Sequence, residues 1–93
     1  MRTIKILPSF ERSLKKLSPQ AKEKIKQILE RFNHFLVTGI LSKGLGFKKI
    51  NKDKYELRVD IRLRIIIKVE REVIYFVLVG THNDIKKYLR EFR

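Results

Sequence analysis

Three side chains in the second half of the chain carry the chemistry needed to handle a phosphate: Arg58, Arg64 and His82. A guanidinium stays ionised at any ordinary pH and grips two oxygens at once, so Arg58 and Arg64 suit charge that builds on phosphoryl oxygens. His82 is the natural acid or base, because imidazole is the side chain that titrates near neutrality. Glu56, two residues before Arg58, is a second candidate base provided that it shares their face. Each residue also has a structural reading. Alternating charge is the ordinary outer surface of an antiparallel sheet, and His82 followed by Asn83 and Asp84 equally suits the capped start of a helix. His34, between Phe32 and Phe35, is assigned to structure.

The composition says what such a site would face. The chain has 93 residues, with 23 Lys and Arg against 10 Asp and Glu, a formal net charge of +13. That length supports one domain with one core, here residues 1–93. So large a surplus of one sign repels itself in the compact state, which points to a polyanionic partner. There is no cysteine, hence no disulfide framework and no thiolate metal site. Two histidines are too few for a zinc site unless carboxylates help. No cofactor and no metal is expected. The first residues, MRTIKILP, are too short for a signal peptide. The longest apolar run, Val73 to Val79, is far below the roughly 20 residues of a membrane span. The expectation is a soluble, cytoplasmic protein with no membrane partner.

Positioning those residues falls to a series of short elements. Thr3 to Leu7 alternates weakly and stops at Pro8, as a first strand would. Ser9 is expected to cap a helix with Phe10, Leu14 and Leu17 at helical spacing. Ser18 and Pro19 start a second helix, whose apolar stripe runs Ala21, Ile25, Ile28, Leu29, Phe32 and Leu36. Gly39, Gly44 and Gly46 then punctuate a lysine-rich loop. Its Lys43, Lys48, Lys49, Lys52 and Lys54 can neutralise phosphates without regard to sequence.

From Tyr55 the pattern changes to period two, which fixes the faces. A three-residue loop at positions 60–62 sets Val59 against Leu63, Leu57 against Ile65 and Tyr55 against Ile67, all apolar. The other face then carries Arg58 opposite Arg64, Glu56 opposite Ile66 and Lys54 opposite Lys68. A turn around Glu70 to Glu72 leads into Val73 to Val79, apolar on both faces as a central strand should be. In this pairing Arg64 lies opposite about Leu78, so His82 is four residues of strand, roughly 13 Å, away. Tyr88, Leu89 and Phe92 recur at the spacing of a short final helix, which reads first as packing. The expected fold is α+β, a helical hairpin packed on a mainly antiparallel four-stranded sheet, with a short C-terminal helix.

The order of these segments resembles the RelE/ParE superfamily of small bacterial and archaeal toxins, and within it the RelE-type ribosome-dependent mRNA endonucleases. The likeness covers nearly the whole chain. It rests on Leu14 to Leu17 in the helical hairpin, Tyr55 to Val59 (YELRV), Arg64 heading an apolar strand, and Val79 to His82 as Val-Gly-x-His. It implies that Arg64, Arg58 and His82 belong to an active site, together with Tyr88, six residues after His82. Leu63 departs from the pattern, since such toxins often place an aromatic residue there.

The resemblance also implies a reaction. In metal-free RNA cleavage the substrate's own 2′-OH attacks the adjacent phosphorus. The protein must take a proton, stabilise the added charge and protonate the leaving 5′-oxygen. Arg64 and Arg58 would take the charge and His82 a proton, with Tyr88 sharing the proton work or stacking on a base, and Glu56 in reserve. Lys43, Lys48, Lys49, Lys52, Lys54 and Lys68 would bind RNA. The implied partners are an acidic antitoxin, in a toxin–antitoxin heterotetramer, and the ribosome with its mRNA. Two further readings share the scaffold: a ParE-like gyrase inhibitor, and a basic RNA-binding module without catalysis. A fold does not choose among them; the site must.

Overall fold

A computed structural model describes residues 3–41 and 43–91. The elements are β1 (Thr3–Ile6), α1 (Pro8–Lys15), α2 (Pro19–Thr38), β2 (Phe47–Lys49), β3 (Lys54–Arg58), β4 (Leu63–Glu70), β5 (Val73–Thr81) and α3 (His82–Glu91). The strands form one sheet in the order β1-β5-β4-β3-β2. β1 runs parallel to β5 and the other pairings are antiparallel. The fold class is the expected one, with five strands where four were expected. The additional strand is β2, inside the segment read as a loop. Three residues are too few to show an alternation. What holds them is pairing with β3 and the Phe47 ring, stacked on Tyr55 at 5.0 Å and 10°.

Ser18 caps α2 as expected, accepting from the Ala21 N–H at 3.1 Å. Ser9 does not cap α1. Pro8 already occupies the first turn, where its missing N–H costs nothing, and the N-cap is Leu7. The Ser9 hydroxyl donates instead to the Val77 carbonyl, and one turn later the Ser13 hydroxyl accepts from the Val79 N–H at 3.1 Å. These contacts have a clear purpose. β1 pairs with β5 only as far as Phe76, so beyond that point α1 hydroxyls serve backbone groups that a neighbouring strand would otherwise satisfy.

The helical hairpin covers one face of the sheet. Phe10, Ile25, Ile28 and Phe32 pack on Leu57, Ile65, Ile67, Ile74, Phe76 and Val79. The second face was expected to carry the charged cluster, with Ile66 and one side of the central strand beside it, and the structure shows what covers that apolar part. Ile66, Val77 and Leu78 form an apolar strip on that face, and leaving it in water would be costly. α3 folds back over it, with Ile85, Tyr88 and Leu89 inward. Phe92, expected on the same helix, lies outside the described residues. Among the described residues no helix is long and apolar enough to cross a membrane.

Candidate functional site

The β3–β4 register is the expected one: Arg58 opposite Arg64, Glu56 opposite Ile66, Lys54 opposite Lys68. The β4–β5 register differs from expectation. Arg64 lies opposite Gly80 rather than Leu78, because Arg71 and Glu72 form a two-residue turn and a bulge between Ile66 and Ile67 leaves Val77 as an extra residue on β5. An extra residue displaces everything beyond it. His82 is therefore two residues from the point facing Arg64, about 7 Å of strand instead of about 13 Å.

Across the second face the sheet thus carries the row Arg58, Arg64, Gly80, and beside it the row Lys48, Glu56, Ile66, Leu78. Two arginines side by side repel each other, so something must gather them. Glu56 is one such group: its Oε2 lies 3.6 Å from Arg64 Nε and 3.7 Å from Lys48 Nζ. The β3–β4 loop is the other. The Asp60 carbonyl accepts from Arg64 Nη1 at 2.7 Å and from Arg58 Nε at 3.5 Å. The Arg64 side chain is only 17% exposed, whereas Arg58 is exposed. Gly46 makes room for Arg58, since a Cβ at position 46 would lie 2.8 Å from Arg58 Cβ.

Asp60 was not singled out from the sequence. Its Oδ1 accepts from the Arg62 N–H at 2.8 Å and the Leu63 N–H at 2.7 Å, and its Oδ2 pairs with Lys24 of α2 at 3.2 Å. These bonds, the one from Leu63 foremost, hold its carboxyl below the usual range. The signal was available: a short acidic residue opening a hairpin loop commonly bonds the backbone two residues on.

His82 is the first residue of α3 and is exposed. It does not cap the helix. Thr81 does, through a capping box in which its hydroxyl accepts from the Asp84 N–H at 3.3 Å while Asp84 Oδ2 accepts from the Thr81 N–H at 2.9 Å and hydroxyl at 3.0 Å. Both ends of the box are thus taken, and the imidazole has no part in it. Tyr88 is half-buried against the strip that α3 covers. It also walls a cleft of about 360 Å³ between α1, the end of β5 and α3, together with Ser13, Lys16, Gly80, Thr81 and Lys87; Arg58, Arg64, Glu56 and His82 do not line it.

The lysines divide. Lys43, Lys48, Lys49 and Lys52 are exposed, and period two sends Lys48 to the arginine face and Lys49 to the opposite one. Lys54 is not a surface group. It opens β3, is 8% exposed and pairs with Asp53 at 3.3 Å. Lys68 is held by Glu70 at 3.3 Å, which raises its pKa above the usual lysine value, with Asp53 and Tyr88 adding to the effect. Among the described residues no group of three His, Cys, Asp or Glu could hold a metal ion.

No family model matches the chain, and no curated protein does. Solved structures do. The RelB–RelE antitoxin–toxin complex from Methanococcus jannaschii superposes with a TM-score of 0.69 at 26% identity, over 90% of this chain and 96% of that one. YafQ from Escherichia coli strain BL21(DE3) gives 0.66 at 18%, over 91% and 98%. The archaeal RelE–RelB complex from Pyrococcus horikoshii OT3 gives 0.64 at 17%, over 86% and 93%. The chain has the fold of the RelE-type toxins.

Proposed function

We propose that this chain is the toxin of a toxin–antitoxin pair and that it cleaves mRNA on the ribosome. The observation that carries the reading is the convergence of Arg58 and Arg64 on one loop carbonyl, in a row that ends at Gly80 just before His82. Cationic groups held this way are preorganised for phosphoryl oxygens, and need little rearrangement as charge develops.

In the reaction that fits, the 2′-OH loses its proton and its oxygen bonds to phosphorus. The P–O5′ bond breaks and the 5′-oxygen gains a proton, leaving a 2′,3′-cyclic phosphate. Arg64 and Arg58 stabilise the charge on the phosphoryl oxygens. His82, exposed at the start of α3, exchanges the proton. Glu56 is already engaged by Arg64 and Lys48, so orienting Arg64 is its first task. Tyr88, half-buried under α3, would contact a base or aid proton transfer. No step calls for a metal, since the substrate supplies its own nucleophile.

Lys43, Lys48, Lys49 and Lys52, on and beside the edge strand β2, supply contacts to the RNA backbone, and Lys68 joins Lys48 on the arginine face. The charge of +13 and the antitoxin present in two of the similar complexes support an acidic antitoxin as partner. The test is expression from a tight promoter with mapping of mRNA 5′ ends, beside His82→Ala and Arg64→Ala. Growth arrest with new 5′ ends in coding sequence, abolished in both variants, is the expected result. Arrest with intact mRNA would sink the nuclease reading and favour a gyrase inhibitor; unimpaired growth would leave only a binding module.

A further inference from the structure

We infer that Asp60 is the positioning residue of this site: its carboxylate shapes the β3–β4 loop so that the loop carbonyl holds Arg64 and Arg58 together, and Lys24 ties that loop to α2. The inference rests on the nuclease reading for its activity readout alone. Arg58 and Arg64 sit directly opposite one another on adjacent strands, and like charges so placed tend to splay. A carbonyl oxygen has two lone pairs and accepts from both guanidinium groups. It can do so only if the loop presents it, and the loop's own shape comes from the Asp60 side chain accepting the Arg62 and Leu63 N–H groups. One residue thus uses its carboxylate to build the turn and its carbonyl to aim two cations. The Lys24 contact at 3.2 Å anchors the turn to the helical layer on the other side of the sheet.

Two substitutions separate this from a charge effect. Asp60→Asn keeps an acceptor oxygen at the right reach for the loop N–H groups and loses the charge facing Lys24. Asp60→Glu keeps the charge, and its extra methylene carries the carboxylate away from those N–H groups. On purified ribosomes carrying mRNA, Asp60→Glu is expected to lose about 100-fold in kcat with KM within about threefold, the scale of a misplacement near 1 Å. Asp60→Asn should stay within about tenfold of the parent protein.

With Arg64 Nε, which faces Glu56, as the unmoved reference, the spectroscopic readout is the Arg58 Nε–Hε and Arg64 Nη1–H signals by 15N NMR, from the groups that donate to the carbonyl. They should persist in Asp60→Asn and move to the position of free arginine in Asp60→Glu. Equal kcat and unchanged arginine signals in both variants would overturn the proposal, as would an Asp60→Glu variant better than Asp60→Asn. If the parent protein cuts no RNA, the nuclease reading fails by itself. The NMR comparison still decides on Asp60, because the arginine signals need no substrate.

Discussion

Gly80 faces Arg64 across the sheet and lies against Asp84, and replacing it with alanine tests how α3 and His82 are held. A Cβ on residue 80 would fall 2.7 Å from Asp84 Cβ, 2.8 Å from its Oδ2 and 3.1 Å from its Cγ. Asp84 cannot retreat freely, because its carboxylate is fixed by the Thr81 N–H and hydroxyl. Moving it breaks the capping box, at a cost of about 1 kcal/mol. The remaining overlap adds about 1–3 kcal/mol, as small-to-large changes in packed sites do. Gly80→Ala should therefore destabilise the fold by about 2–4 kcal/mol, measured by urea denaturation with circular dichroism. Asp84→Gly removes both the Cβ and the cap, and should cost about 2 kcal/mol from the lost cap and a glycine in the helix. In the double variant the overlap is gone and the cap is lost only once, so the cost should fall about 2–4 kcal/mol short of the sum. A Gly80→Ala protein within about 0.5 kcal/mol of the parent, or a cycle that adds, would refute the reasoning about this approach.

Further expectations follow from single contacts. Ser13→Ala leaves the Val79 N–H without its acceptor beyond the end of β1; it should cost about 1–3 kcal/mol and speed hydrogen exchange at Val79 selectively, as read by NMR. Asp60 has a depressed carboxyl pKa, so the stability it adds is present above its unfolded value near 3.8 and lost as pH falls through the lower folded value. Asp60→Asn should therefore be less stable than the parent at neutral pH, and the gap should close below about pH 4, in urea titrations across that range. Changing Lys43, Lys48, Lys49 and Lys52 together to glutamine should flatten the dependence of RNA affinity on salt. At about 0.7 of log–log slope per phosphate contact on a single strand, four contacts account for roughly 3 units, by fluorescence anisotropy with a labelled RNA. A slope that stays the same would remove these lysines from the interface.

What could be read in advance depends on how local its cause is. The β3–β4 pairing was legible because Leu57, Val59, Leu63 and Ile65 alternate with charged residues, so only one loop length keeps the faces apart. The bulge at Val77 was not, because Val73 to Val79 is apolar throughout and a slip of one residue leaves the pattern unchanged. That hidden residue matters to the site. It brings Gly80 rather than its neighbour opposite Arg64, and so brings the start of α3 toward the arginines. Lys54 was misplaced for a related reason. A lysine beginning a strand looks the same in sequence whether it meets water or, as here, an aspartate one residue before it.

The Thr81 capping box and the Asp60 turn are a different case, since both were written in local sequence and went unread beside the louder signal of His82, Arg58 and Arg64. Those quieter residues account for where the louder ones are held. Thr81 and Asp84 satisfy the start of α3 between them, which frees His82 from any structural duty there. Asp60 builds the loop whose carbonyl the two arginines share. Such a site withstands loss of a lysine on its rim far better than loss of an uncharged backbone acceptor at its centre. Asp60→Glu should therefore impair phosphate chemistry more than any single change among Lys43, Lys48, Lys49 and Lys52, although each of those lysines carries a full charge and the carbonyl carries none.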